Sequence, residues 1–268
     1  MTQETLSDVI RDFTTLLAPA SASFLNRVYQ SGLDPYRRRL TAHGFGGHGR
    51  VLDAGCGFGQ WTLALAELNS QVVAIDHKAE RLMFVRRALA AAGHTNVAVR
   101  RAQLDRLPDD LGTFDAIFCY SVLPWTPWRQ VIPELARVLR PGGLLYVNAQ
   151  GFGWYTFLWE TRHNATQDYD PRLVAGQALC NTVRYDQGLR PEPGIDVLIE
   201  PEALKEAMTA AGLVDLRQGP EGTVFLAPPA DGPLRPFFAA EYGGFLGVYE
   251  ILARARPPSS APRLSRKP

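Results

Sequence analysis

Apolar residues in the first forty positions recur at helical spacing: Leu6, Val9, Ile10, Phe13, Leu16 and Leu17 share one face of a helix expected over Glu4 to Leu17. Ser21 or Ser23 can cap a second helix carrying Phe24, Leu25, Val28 and Tyr29, and a third short helix follows Asp34-Pro35 as far as Leu40. Glycines at 44, 46, 47 and 49 then divide this helical lead or cap, residues 1–47, from what comes next. From Arg50 short β-rich runs alternate with helical stretches. Strands are expected at Arg50 to Ala54, Gln71 to Asp76, Asn96 to Arg101, Asp115 to Tyr120 and Gly143 to Asn148, with helices at Gln60 to Leu68, Ala79 to Ala92 and Pro127 to Leu139. That alternation predicts an α/β fold, a doubly wound, mostly parallel sheet covered on both faces.

A helix at Pro201 to Ala211 and strands at Val214 to Gln218 and Gly247 to Ala255 complete seven strands, so the α/β domain is expected to run 48–256. Between these halves, Ala149 to Asp196 is aromatic-rich, weakly periodic and too long for a plain connection. It reads as an insertion after the fifth strand, about 150–196, covering the ligand edge of the sheet. The tail 257–268 mixes Pro, Ser, Arg and Lys and is expected to be disordered.

Composition narrows the function classes. With 28 Lys plus Arg against 27 Asp plus Glu, the net charge is +1, which argues against a dedicated nucleic-acid binder. Cys56, Cys119 and Cys180 are scattered and odd in number, forming neither a disulfide framework nor a metal motif. The five histidines are scattered too, and no metal is expected. No apolar run approaches the roughly 18 residues of a spanning helix, and Met1 to Asp12 lacks a leader pattern; a cytoplasmic location away from membranes is expected.

The strongest local signal is Val51-Leu52-Asp53-Ala54-Gly55-Cys56-Gly57-Phe58-Gly59, a strand ending in an acid and then glycine at alternate positions before a helix. The position a dinucleotide fingerprint needs as its third glycine is Gln60, so the nicotinamide pattern is not met. Asp53 would repel a pyrophosphate but attract an ammonium or sulfonium. Asp76, at the next strand end, can accept hydrogen bonds from both ribose hydroxyls, and His77 can lay its ring against adenine.

These motifs, in this order, resemble the class I S-adenosylmethionine-dependent methyltransferases of small-molecule type. The resemblance covers roughly Arg50 to Asn148, through the glycine motif, the Val72 to Asp76 strand end, Phe114 to Tyr120, and the Leu139-Arg140-Pro141-Gly142-Gly143 turn. It implies S-adenosylmethionine as cofactor, S-adenosylhomocysteine as product, and a cofactor site of Asp53, Gly55, Cys56, Gly57, Gly59, Asp76, His77, Gln103, Leu104 and Tyr120. In the adenine-binding stretch Gln103 stands where the family usually has an acid; its carbonyl can accept from the adenine amino group while the Leu104 amide donates to the ring. Cys56 sits where backbone meets cofactor, and its small neighbours suit packing rather than nucleophilic chemistry.

The implied chemistry is methyl transfer to an oxygen or nitrogen of a metabolite, with alignment supplying most of the catalysis. The segment Cys119 to Pro124 lacks the D/N-P-P-Y/F motif of enzymes that methylate base or glutamine amino groups. Trp125, Trp154 and Tyr155 are the expected substrate wall, and His163 is the candidate general base. The expected partner is a small-molecule substrate, with no nucleic acid and no membrane, and the chain is expected to act as a monomer or homodimer. The arginines of Arg37-Arg38-Arg39 are expected at the solvated surface. Competing readings are an RNA or protein methyltransferase, a non-catalytic nucleoside-binding module, and a nicotinamide oxidoreductase.

Overall fold

The computed structural model describes residues 4–229 and 232–257, so nearly all of the expected disordered tail lies outside the described residues. The helical lead comprises α1 (Leu6–Leu16), α2 (Pro19–Tyr29) and α3 (Asp34–Ala42). Thr5 caps α1 by accepting from the Asp8 amide while the Asp8 carboxylate accepts the Thr5 amide, a reciprocal arrangement that satisfies two otherwise open donors. The α/β body follows as β1 (Arg50–Ala54), α4 (Gln60–Leu68), β2 (Gln71–Asp76), α5 (Ala79–Ala91), β3 (Val97–Arg101), β4 (Phe114–Cys119), α6 (Trp128–Arg137) and β5 (Leu139–Gln150). Beyond it lie α7 (Phe152–Thr161), α8 (Pro171–Asp186), α9 (Pro201–Ala210), β6 (Leu213–Pro220), a two-stranded hairpin of β7 (Glu241–Tyr242) and β8 (Phe245–Leu246), and β9 (Val248–Ala255).

Seven strands form one sheet in the order β3-β2-β1-β4-β5-β9-β6. β9 alone runs antiparallel to its neighbours, pairing β5 on one side and β6 on the other. Chain order reverses direction between β1 and β4, and in open α/β sheets that reversal opens a crevice beyond the carboxyl ends of the strands. Alternate residues of each strand feed separate cores: Leu52, Ile117 and Val147 pack with Trp128, Val131 and Leu204 of α6 and α9, whereas Val51, Phe118 and Tyr146 pack with Leu40 and Trp61 of α3 and α4. The expected seven-stranded sheet is therefore present. The fifth strand is longer than expected, because Leu139 already pairs Phe114 before a register shift near Ala116 lets the strand resume at Leu144.

The lead packs against the body. Val9, Phe13 and Leu25 join Phe58, Leu82 and Phe84 in one buried cluster, and the Tyr29 hydroxyl donates to the Phe58 carbonyl at 2.7 Å. Arg39, expected at the surface, is buried. Its guanidinium lies 3.1 Å from Glu221 Oε1 and 3.5 Å from Glu250 Oε2, donates to the Arg235 carbonyl at 2.7 Å, and stacks on the Phe237 ring. Glu250 also accepts the Tyr146 hydroxyl at 3.0 Å and the amides of Gly222 and Val224, while His43 Nε2 stands 3.5 Å away. Burial opposes ionisation of Glu250, but His43, Arg39 and the Val224 amide outweigh it and hold its pKa below the usual range.

Removing one member of a buried ion network strands the others without solvent, at a cost of roughly 3–5 kcal/mol. Arg39→Ala is therefore expected to lower the urea midpoint far more than Arg37→Ala, whose partners Asp34 and Glu67 stay within reach of water. Equal losses for the two variants would remove Arg39 from this role.

Candidate functional site

β1 ends inside the protein, and the chain must turn at once to enter α4. Gly55 makes that turn at φ +84°, where a Cβ would lie 2.4 Å from a Val122 methyl. Gly57, at φ +55°, has no heavy atom within 4 Å of its missing Cβ, so its side faces open space beyond the strand ends. The amides of Gly55 and Cys56 both donate to the Ile75 carbonyl at 2.8 Å, which draws the loop over the end of β2. There the Asp76 carboxylate accepts Gly57 N–H at 3.1 Å and Lys78 N–H at 2.8 Å, with Arg81 Nη1 3.6 Å away.

Asp53 is buried and accepts the Thr62 hydroxyl at 2.6 Å. Burial pushes its pKa up to about 7, the Asp76 charge adds to that rise, and the Thr62 hydrogen bond opposes it. The Cys56 thiol is pushed well up by burial and is no thiolate nucleophile. A glycine cradle beside two acids, one desolvated, fits a ligand with a positive centre and a hydroxyl-bearing sugar.

The other expected residues distribute along this edge. His77 follows β2, exposed, with Nδ1 3.5 Å from Asp76 Oδ1. Beyond β3, Gln103 bridges to Arg106 and Leu104 is buried in the core. Tyr120 follows β4, its ring against Trp61 and its hydroxyl donating to Glu221. Trp125 is exposed in a short 3₁₀ turn, and Trp154 meets the rings of Phe157 and Phe238. Tyr155, expected in the substrate wall, is buried where α7 packs on α8, and its hydroxyl lies 3.4 Å from Asp196 Oδ2. His163 stands apart: it is exposed past the left-handed Arg162 that ends α7, with its ring against Phe157.

Several residues at this edge had escaped sequence reasoning. Ser121 adopts φ +57° and its amide donates to Asn148 Oδ1, a conformation uncommon outside constrained sites. Glu221 Oε2 accepts the amides of Phe237 and Phe238 and so places both rings. Asp196 is buried, with burial raising its pKa to about 6 against the Tyr155 hydrogen bond. The available signal for Asp196 was an acid opening the apolar run Val197-Leu198-Ile199; Glu221 carried none. Among the described residues, no three His, Cys, Asp or Glu side chains cluster in a way that could hold a metal, and no helix is long and apolar enough to cross a membrane.

A seven-stranded sheet of this order with a glycine cradle and paired strand-end acids defines the class I methyltransferase architecture. Residues 51–143 match the family described as the methyltransferase domain, and in fold and motif order the chain resembles the class I S-adenosylmethionine-dependent methyltransferases. Demethylmenaquinone methyltransferase of Shouchella clausii is 38% identical over 97 residues, 35% of this chain and 41% of that protein. The chain thus spans about two-fifths of that relative's length. A solved S-adenosylmethionine-dependent methyltransferase from Clostridium acetobutylicum superposes with TM-score 0.57 at 12% identity, over 85% of this chain and 92% of its own. Magnesium protoporphyrin IX methyltransferase from Synechocystis, solved with bound S-adenosylhomocysteine, gives 0.54 at 15% identity over 85% and 84%. At such identities the structures establish the shared fold.

Asp53 makes a testable demand on the ligand-free chain. Its folded pKa of about 7 exceeds the ordinary 3.8, so below about pH 4 both states hold the proton and Asp53 costs nothing. Between those values only the unfolded chain ionises and stability falls, and above pH 7 the loss is complete. Asp53→Asn keeps an acceptor for Thr62 and is expected to be about 1–4 kcal/mol more stable than the parent at pH 8, with no advantage at pH 4. Urea denaturation at the two pH values checks this, and an equal difference at both would contradict the assignment.

Proposed function

We propose that the protein transfers a methyl group from S-adenosylmethionine to an oxygen or nitrogen of a small-molecule metabolite, within a biosynthetic pathway. The observation that carries this reading is the desolvated Asp53 beside Asp76 beneath an open glycine loop. The bound cofactor supplies an electrophilic methyl on a positively charged sulfur. Asp53 places negative charge near that centre, Asp76 accepts from the ribose hydroxyls, and the Gly57 side leaves room for close approach. Gln103 and the Leu104 amide serve the adenine; Tyr120 and His77 flank the same ligand.

On the acceptor side, Trp125 and Trp154 belong to elements leaving β4 and β5, and Phe237 and Phe238 add two rings, while Tyr155, buried between α7 and α8, presents no face to a ligand. Aromatic walls of this kind suit a compact organic acceptor more than a macromolecule. The Shouchella clausii and Synechocystis proteins are both named for small-molecule acceptors, which supports the same choice. A net charge of +1 gives no electrostatic footprint for a nucleic acid.

Calorimetry with S-adenosylhomocysteine, together with mass spectrometry of any nucleoside retained through purification, tests the cofactor. Asp76→Ala is expected to weaken S-adenosylhomocysteine binding by about 10–100-fold while the chain stays folded, as befits loss of charge-assisted hydrogen bonds worth about 1.5–3 kcal/mol. Metabolites incubated with enzyme and S-adenosylmethionine are then scored for the mass of one added methylene. Thermal protection by NAD and not by S-adenosylhomocysteine would overturn the reading.

A further inference from the structure

Asp196 lies in the segment that joins α8 to α9 and crosses the ends of two strands. The Val197 amide donates to the Pro124 carbonyl beyond β4 at 2.7 Å, and the Ile199 amide donates to the Gln150 carbonyl that ends β5 at 3.0 Å. Neighbouring strands stand about 4.8 Å apart, so this segment passes one and two strand spacings from the β1 exit where the glycine loop begins. Val197 and Ile199 point into the core, and Asp196 alternates with them toward α7, where Oδ2 meets the Tyr155 hydroxyl. The Asp196 backbone carbonyl accepts Asn181 Nδ2 at 3.2 Å. The side-chain oxygen Oδ1 is fully buried and has no partner in the protein.

A buried carboxylate with an unmatched acceptor is costly unless something donates to it. The surroundings show where that donor would come from. Tyr169, in the loop before α8, feels both Asp196 and Arg27 of α2, and Tyr29 of the same helix donates to the Phe58 carbonyl inside the glycine loop. What places Asp196 at the edge where the crevice opens is the crossing of its segment over the ends of β4 and β5.

We propose that Asp196 is the catalytic carboxylate that receives the proton of the methyl acceptor, so that the acceptor is a nucleophile that sheds a proton on methylation, such as a hydroxyl or amine, rather than a thioether. This rests on the methyltransferase reading above. As the nucleophile's lone pair forms the new bond to the methyl carbon, the carbon–sulfur bond breaks with its electrons remaining on sulfur, and the nucleophile's proton passes to Asp196 Oδ1. Charge balances: the sulfonium becomes a neutral thioether and the carboxylate a carboxylic acid. Burial raises the Asp196 pKa to about 6, which leaves it ionised yet a competent base at neutral pH. Among the described residues, the titratable groups facing it are Tyr155 from α7 and Tyr169 from the loop, with Arg27 acting on Tyr169 from α2.

Sinefungin, a cofactor analogue with an amine where the sulfonium methyl sits, probes this without knowledge of the substrate. Its affinity relative to S-adenosylhomocysteine is measured by calorimetry from pH 8 to pH 5, a range in which an aliphatic amine of pKa ~10 stays protonated. Asp53, itself pushed up to about 7, faces the charged end of the same ligand, so Asp53→Asn is measured beside Asp196→Asn and only the part of the preference lost in Asp196→Asn is assigned to Asp196. The expected result is a preference for sinefungin of about tenfold or more at pH 8 that fades below pH 6, and its disappearance in Asp196→Asn with S-adenosylhomocysteine affinity unchanged. A ratio that is flat with pH in the unaltered protein, or that survives Asp196→Asn, overturns the assignment. Failure of the unaltered protein to bind either ligand overturns the methyltransferase reading instead.

Discussion

The burial of one guanidinium, that of Arg39, constrains the rest of the molecule. A charge withdrawn from water persists only where opposite charge and acceptors surround it. Arg39 finds these in Glu221, Glu250 and the Arg235 carbonyl, contributed by segments roughly two hundred residues away. The same contacts that satisfy it therefore join α3, β9 and the segment after β6. Glu221 then acts twice: one oxygen faces Arg39 and the Tyr120 hydroxyl, the other takes the Phe237 and Phe238 amides. The ion pair of Arg39 with Glu221 thus also sets where the rings of Phe237 and Phe238 stand.

The cleft itself shows the opposite economy. Around Arg39 charges are matched, whereas Asp53 and Asp196 are carboxylates kept from water with no cation beside them, and Asp196 Oδ1 has no partner. Groups like these weaken a fold and persist where a ligand completes them. In the proposed reaction the two acids serve different ends: Asp53 lies under the glycine loop, and the Asp196 segment crosses the ends of β4 and β5.

Much of this was readable from sequence, for identifiable reasons. Strands buried on both faces give uninterrupted apolar runs such as Val72 to Ile75, and the glycine loop demands residues without side chains, so both left a strong local trace. The helical lead was visible because Val9, Phe13 and Leu25 bury large side chains at helical spacing. Helix α8 was not: it buries Ala175, Ala178 and Asn181 while Leu173 and Val183 face out, so its pattern carries no large apolar stripe. Arg39 looked like its half-buried neighbour Arg37 because its partners are distant in sequence, and no local rule connects position 39 to positions 221 and 250. The same holds for Asp196, whose significance lies in an oxygen left over after the fold is complete. His163, chosen for its titration range and its place in the aromatic segment, ends on the exposed tip of α7 because Arg162 turns the chain outward there.

The placement of β9 has a consequence for how the molecule is made. This strand is inserted between β5 and β6, so β6 has no hydrogen-bonded neighbour until the very late residues of the sheet arrive. It also brings Glu250, and Arg39 must therefore wait for that counter-charge until the roughly two hundred residues between them have been made. A ribosome-bound nascent chain lacking β9 would hold a half-closed sheet with an unpaired strand edge and a stranded cation, the state most exposed to capture by chaperones or by other copies of itself.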